Sequence, residues 1–277
     1  MAGEHEDERE ANSLRLGWCR LAMVDLDGTL YRGNQVIPGA PEFILRLLEN
    51  GVVPVYFTNN STRTPEEVAR VLRTMGIPAK EHNVCTSSQA AAEILLNQVG
   101  PGARVSYIGM EGLRLALEES KLIPVPAGLS KESQGAADAA VMGLKTDVTF
   151  QELADFCQDV ARLGRFVLTN GDLKLPTATG FWPGNGSFGR LVEAATGVHP
   201  KEAGKPEVSF VEYVLHKFGV EKESAVLIGD NAKTDIAAGK NAGVYTIQVM
   251  SGVPAGQTTE GDSFADETYA SVANIDL

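Results

Sequence analysis

The chain has 277 residues, 43% of them hydrophobic and 22% charged, with 29 glycines and 13 prolines, which suits a folded globular protein and excludes a disordered one. A formal net charge of -12, with no lysine or arginine run, excludes a nucleic-acid binder that must neutralise a phosphate backbone. Three cysteines without C-x-x-C spacing exclude a disulfide framework and a zinc knuckle, and no apolar stretch reaches the roughly 18 residues of a membrane span.

Length alone favours two domains of ordinary size over one. Residues 1–13 are acidic and polar, the reverse of a signal peptide, and read as a mobile tail. With the unpaired cysteines Cys19, Cys85 and Cys157, this leads us to expect a reducing, cytoplasmic setting. The histidines His5, His82, His199 and His216 are scattered, and none has ligand-like spacing.

The first apolar run, Leu21 to Val24, predicts a strand, and apolar residues at 43, 44, 47 and 48 predict a helix over Pro41 to Glu49. Val52 to Phe57 is a second strand pattern. A helix over Pro65 to Met75 follows, with Thr64 as N-cap and Gly76 as its stop. Val84 marks a short third strand, and Ser87 to Gln98 reads as an alanine-rich helix. At the far end the pattern resumes. Pro206 to Phe218 is helical, Ala225 to Ile228 a strand, Thr234 to Asn241 a helix and Val244 to Val249 a strand.

Continuous apolar strands alternating with helices predict an α/β fold, a Rossmann-like parallel-sheet core with helices on both faces. Between the two halves, about Arg104 to Thr179, lies a segment with its own alternation. The expected organisation is therefore a core domain of residues 14–100 and 185–277, with a smaller inserted α/β cap domain of residues 101–184. The chain would return to the core through a glycine-rich hinge near Pro183 to Phe188.

In parallel sheets ligands bind at the carboxyl ends of strands, and the sharpest motifs fall there. After the first strand comes D-L-D-G-T-L, Asp25 to Leu30. Carboxylates one residue apart repel when both are ionised, so a site that keeps them neutralises one with a cation or a proton. After the second strand comes F-T-N-N-S, whose Thr58 and Asn59 can grip phosphate oxygens or simply make a turn and a cap. G-K-P places Lys205 before a helix, and I-G-D-N-A-K-T-D places Asp230 and Asp235 after a later strand. Two or three carboxylates suffice for Mg²⁺, although an acid in a helix's first turn is common without one.

Each motif is modest alone, but their order resembles that of the haloacid dehalogenase superfamily from Leu21 to about Val253. The run Val167 to Asp172 (V-L-T-N-G-D), then P-G-N-G-S, A-T-G-V-H-P and G-K-P look like its nitrophenylphosphatase and phosphoglycolate phosphatase branch, which carries a large α/β cap. The resemblance implies Mg²⁺-dependent hydrolysis of a small phosphorylated metabolite through an aspartyl phosphate. Asp25 would be the nucleophile and Asp27 the acid and base. Thr58, Asn59 and Lys205 would bind phosphate. Asp25, the Asp27 carbonyl and Asp230 would ligate the metal, with Asp235 holding a metal-bound water or orienting its neighbours. Asn170 and Asp172 would face the substrate from the cap. Caps of this size often mediate dimers in the branch, so a homodimer is expected.

The intact acid at Asp27 speaks for phosphatase over dehalogenase, and the alternatives carried forward are a phosphomutase and a non-catalytic relative that binds a phospho-metabolite. Gly184 to Gly189 also spells G-x-G-x-x-G, a dinucleotide fingerprint. That fingerprint needs a preceding strand, and Pro183 is expected to interrupt one.

Overall fold

The computed structural model describes residues 17–128, 136–177, 179–252 and 264–276, so the expected tail over 1–13 lies outside them. The chain divides into two compact units. The first takes residues up to Thr58, Val68–Cys85 and from Val211 onward; the second takes Asn59–Glu67 and Thr86–Phe210.

The first unit is built on a six-stranded sheet in the order Glu267–Tyr269, Tyr245–Val249, Ala225–Gly229, Leu21–Val24, Val53–Thr58, Val84–Thr86. Leu21 pairs in parallel register with Ala225 on one side and Val53 on the other. All four residues of that central strand are 0% exposed, as expected of a parallel strand covered on both faces. The helix Ala40–Glu49 buries Phe43, Ile44 and Leu47 in the main apolar cluster, roughly 1.5–3 kcal/mol for each side chain.

A five-stranded sheet organises the second unit, in the order Lys201–Glu202, Val167–Leu168, Ala139–Met142, Arg104–Ile108, Ile123–Pro126, again parallel throughout. Its core packs Phe156 edge-on to Phe166 with ring centroids 6.0 Å apart. The fold is the α/β architecture expected from the sequence.

The second compact unit also holds residues on either side of 101–184. The helix Ser87–Val99 is tied to the 59–61 loop by Ser87 Oγ on Asn59 O (2.7 Å) and Ser88 Oγ on Ser61 O (3.1 Å), and Lys201–Glu202 pairs with Val167–Leu168. Pro183 does not interrupt a strand: Gly180–Pro183 forms a two-stranded antiparallel hairpin with Lys174–Thr177, where each strand has an outer edge that needs no N–H donor.

Nor are the glycines after it a hinge, because the helix Asn185–Thr196 starts among them. A Cβ on Gly186 would lie 2.1 Å from Gly171 O, and one on Gly184 2.1 Å from Asp172 O. They are glycines so that this helix can meet the 171–173 backbone. An antiparallel hairpin ahead of them is not the βαβ unit of a dinucleotide fold. The segment after Asp230 also differs from expectation, since Asn231 caps one wide turn, Ala232–Ile236, before the short helix Ala237–Ala242.

Candidate active site

In the first unit, Asp25, Thr58 and Asp230 stand at the carboxyl ends of three neighbouring strands. Asp25 is 7% exposed; its N–H donates to Ile228 O at 2.9 Å, and Thr29 Oγ1 donates to its Oδ2 at 3.3 Å. Gly28, at φ +87°, then turns the chain in a conformation that other L-residues avoid. The turn lifts Asp27 into solvent.

Carboxylate oxygens of Asp25, Asp230 and Asp235 all lie within 4.8 Å of one another. Asp235 is 1% exposed, stands in the first turn after its N-cap Asn231 and accepts that residue's N–H on Oδ2 at 3.1 Å, while also belonging to the carboxylate group. Three carboxylates this close repel unless a cation or a proton lies among them, and a hard oxygen set of this size fits a divalent ion. The Asp27 carboxylate is outside that group.

Two further residues, which sequence reasoning missed, shape the cluster. Ser251 Oγ donates to Gly28 O at 2.7 Å, and a Cβ on Gly252 would lie 1.7 Å from Asp230 Oδ2. The S-G pair after an apolar strand was the available signal.

The phosphate-binding candidates of the second unit form a network of their own. Asn59 Oδ1 accepts from Lys205 N–H at 2.8 Å, and Asn59 Nδ2 donates to Lys205 O and to Asp172 Oδ2, both at 3.2 Å. Asn170 Nδ2 donates to Asn59 O at 2.9 Å. The Asn59 carboxamide is thus committed to the lysine's main chain and to Asp172. Gly204 must be glycine here, since a Cβ would lie 2.6 Å from Asn59 Oδ1 and 2.7 Å from Thr169 O. Lys205 is 4% exposed, an unusual burial for a lysine. Asp172 N–H also donates to Asn170 Oδ1 at 3.3 Å.

A parallel α/β sheet with D-x-D-G-T after its first strand and a carboxylate cluster at adjacent strand ends has the architecture of the haloacid dehalogenase-like hydrolases. Residues 22–123 match the family described as haloacid dehalogenase-like hydrolase, and residues 202–274 match a second one described as HAD-hydrolase-like. Over 231 residues the chain is 40% identical to the 5'-nucleotidase YutF of Bacillus subtilis, covering 83% of this chain and 87% of that protein.

Among solved structures, a double mutant of a thermostable NPPase from Geobacillus stearothermophilus matches with TM-score 0.83 at 36% identity, over 92% of this chain and 97% of that one. The glycerol phosphate phosphatase Rv1692 of Mycobacterium tuberculosis, in complex with magnesium, matches with TM-score 0.82 at 31% identity, over 92% of this chain and 75% of that one. The chain belongs to the haloacid dehalogenase-like hydrolases, and it is a phosphatase. Among the described residues, no helix is long and apolar enough to cross a membrane.

Proposed function

We propose that this phosphatase hydrolyses small-molecule phosphate monoesters with Mg²⁺ through an aspartyl phosphate on Asp25. The observation that carries the reading is the Asp25–Asp230–Asp235 carboxylate group directly after D-x-D-G-T. Asp25, the Asp27 carbonyl and Asp230 hold the ion, and Asp235 orients them; the ion, when bound, screens the carboxylates from the phosphate and allows anion to approach anion.

A carboxylate oxygen of Asp25 attacks phosphorus as the ester P–O bond breaks, and protonated Asp27 gives its proton to the leaving oxygen. The Asp27 carboxylate then takes a proton from water, whose oxygen attacks phosphorus. The P–O bond to Asp25 breaks, its carboxylate re-forms and inorganic phosphate leaves. The exposure of Asp27 suits a group that must exchange protons with solvent. Thr58 contributes its side chain to phosphate binding, Asn59 its main-chain N–H, and Lys205 its positive charge.

Asn170 and Asp172 serve substrate choice by fixing the Asn59 loop. The cap is the inserted segment 101–184, and its exposed Phe181 and Trp182 support a homodimer through it. The free thiols Cys19, Cys85 and Cys157 suit a reducing compartment, the cytoplasm.

The test is phosphate release from a panel of phosphomonoesters, p-nitrophenyl phosphate included, with Mg²⁺ or with EDTA, for wild type and Asp25→Asn. Release that needs both Mg²⁺ and Asp25 is expected. Full activity in Asp25→Asn, folded as wild type, would remove Asp25 from the role.

A further inference from the structure

The strand Tyr245–Val249 sends Ile247 and Val249 into the main apolar cluster. Alternation therefore turns Thr246 and Gln248 to the opposite face of the sheet. There a Cβ on Gly239, in the helix Ala237–Ala242, would lie 2.4 Å from Thr246 Cγ2. Gln248 is 6% exposed and pairs in register with Gly229, the residue before Asp230. Its Nε2 donates to Asp230 O at 3.1 Å.

The next group along the chain, Asn231 N–H, donates to Asp235 Oδ2 at 3.1 Å. The single peptide that follows the Asp230 side chain is thus held at its carbonyl by Gln248 and at its N–H by Asp235. The orientation of the Gln248 amide follows from chemistry, since the reversed amide would set oxygen against oxygen. Its Oε1 is buried with no protein donor among the described residues. Leucine or methionine would fill comparable space without a stranded acceptor, so burying an amide here is unfavourable unless it serves the site.

We propose that Gln248 is a positioning residue for the divalent-cation site, fixing the Asp230–Asn231 peptide and through it the Asp230 carboxylate before the ion binds. The inference rests on the cation reading of the three-carboxylate group. Gln248 acts through Asp230, in the manner of outer partners that orient the groups ligating a metal.

The full-length chain carrying Gln248→Met tests it. Titration of the substrate-free protein with MgCl₂ in a calorimeter is expected to show a Kd about tenfold weaker than wild type. The Mg²⁺ concentration for half-maximal activity rises with it, while kcat at saturating Mg²⁺ falls much less. Hydrogen exchange gives a readout that needs no turnover: the Asn231 amide exchanges faster in the variant, while the amides of Leu227 and Ile228 do not. Gln248→Asn, one methylene too short to reach Asp230 O, replaces the methionine variant if that one misfolds, and the same losses are expected. A folded variant with wild-type Mg²⁺ affinity and an unchanged Asn231 amide overturns the role of Gln248 alone. A wild type that binds no Mg²⁺ and turns over in EDTA overturns the cation reading, and this inference with it.

Discussion

Asn59 and Lys205 are joined by two hydrogen bonds, the lysine's N–H to Oδ1 at 2.8 Å and Nδ2 to the lysine's carbonyl at 3.2 Å. A side-chain amide here imitates a strand partner for one residue of main chain 146 positions away. Asn59→Asp keeps the size and the acceptor but sets a carboxylate oxygen against Lys205 O. Turnover should fall by about 100-fold, the scale of an ångström-level misplacement, while the circular dichroism spectrum stays that of wild type. A variant with wild-type kcat would detach the lysine's position from Asn59.

Two glycine substitutions separate shape at the site from shape elsewhere. Gly76 stops the Pro65–Thr74 helix at φ +78° with open space around it, so Gly76→Ala should cost roughly 1–2 kcal/mol of stability from backbone strain and leave turnover intact. Gly252→Ala would push a methyl to 1.7 Å from Asp230 Oδ2. It should weaken Mg²⁺ binding by at least about tenfold, measured by calorimetry. Equal Mg²⁺ affinity in both variants would mean that the 251–252 segment does not shape the cluster.

Burial pushes the Glu202 carboxyl above its ordinary value of 4.5, with Glu207 and Asp172 adding to the effect and Arg190 and His199 opposing it. A raised carboxyl binds more protons folded than unfolded, so it lowers stability as pH rises through that window. Glu202→Gln removes the titration. Its melting temperature should match wild type below pH 4.5 and exceed it at neutral pH. A variant less stable than wild type at neutral pH would show the carboxylate to be favourably placed.

The three thiols should differ in reactivity. Burial pushes both Cys19 and Cys85 up to about 11, although Lys217 Nζ lies 3.6 Å from the Cys85 sulfur and opposes the shift. At pH 8 both remain protonated and shielded, whereas Cys157 is only partly buried. Iodoacetamide should therefore modify Cys157 alone in the native protein and all three residues after unfolding, read by mass spectrometry. Native labelling of Cys85 would reveal an opening of the Val84–Thr86 strand.

The first unit's sheet was legible in the sequence because its strands are buried on both faces and read as unbroken apolar runs: Leu21 to Val24 was placed to the residue. Thr64 and Gly76 marked a helix by capping chemistry, and Glu67 N–H does donate to Thr64 Oγ1 at 3.2 Å. What stayed hidden depends on approach between distant segments. Gly184 and Gly186 looked like a hinge because a glycine chosen for flexibility and one chosen for close packing are written alike. Gln248 carries no local pattern, and the S-G pair at 251–252 only a weak one; their meaning comes from the position of Asp230.

The registers Leu21↔Ala225 and Leu21↔Val53 bear on the chemistry as well as on the core. Asp25, Thr58 and Asp230 are each the last residue of a buried strand or the one after it, so their spacing is set by hydrogen-bond ladders, and loop closure contributes little. A slip of one residue would displace a side chain by roughly 3.3 Å and turn it to the other face, so no graded misalignment is available. The sheet acts as a ruler with one setting, and evolution can redraw the surrounding loops without recalibrating it.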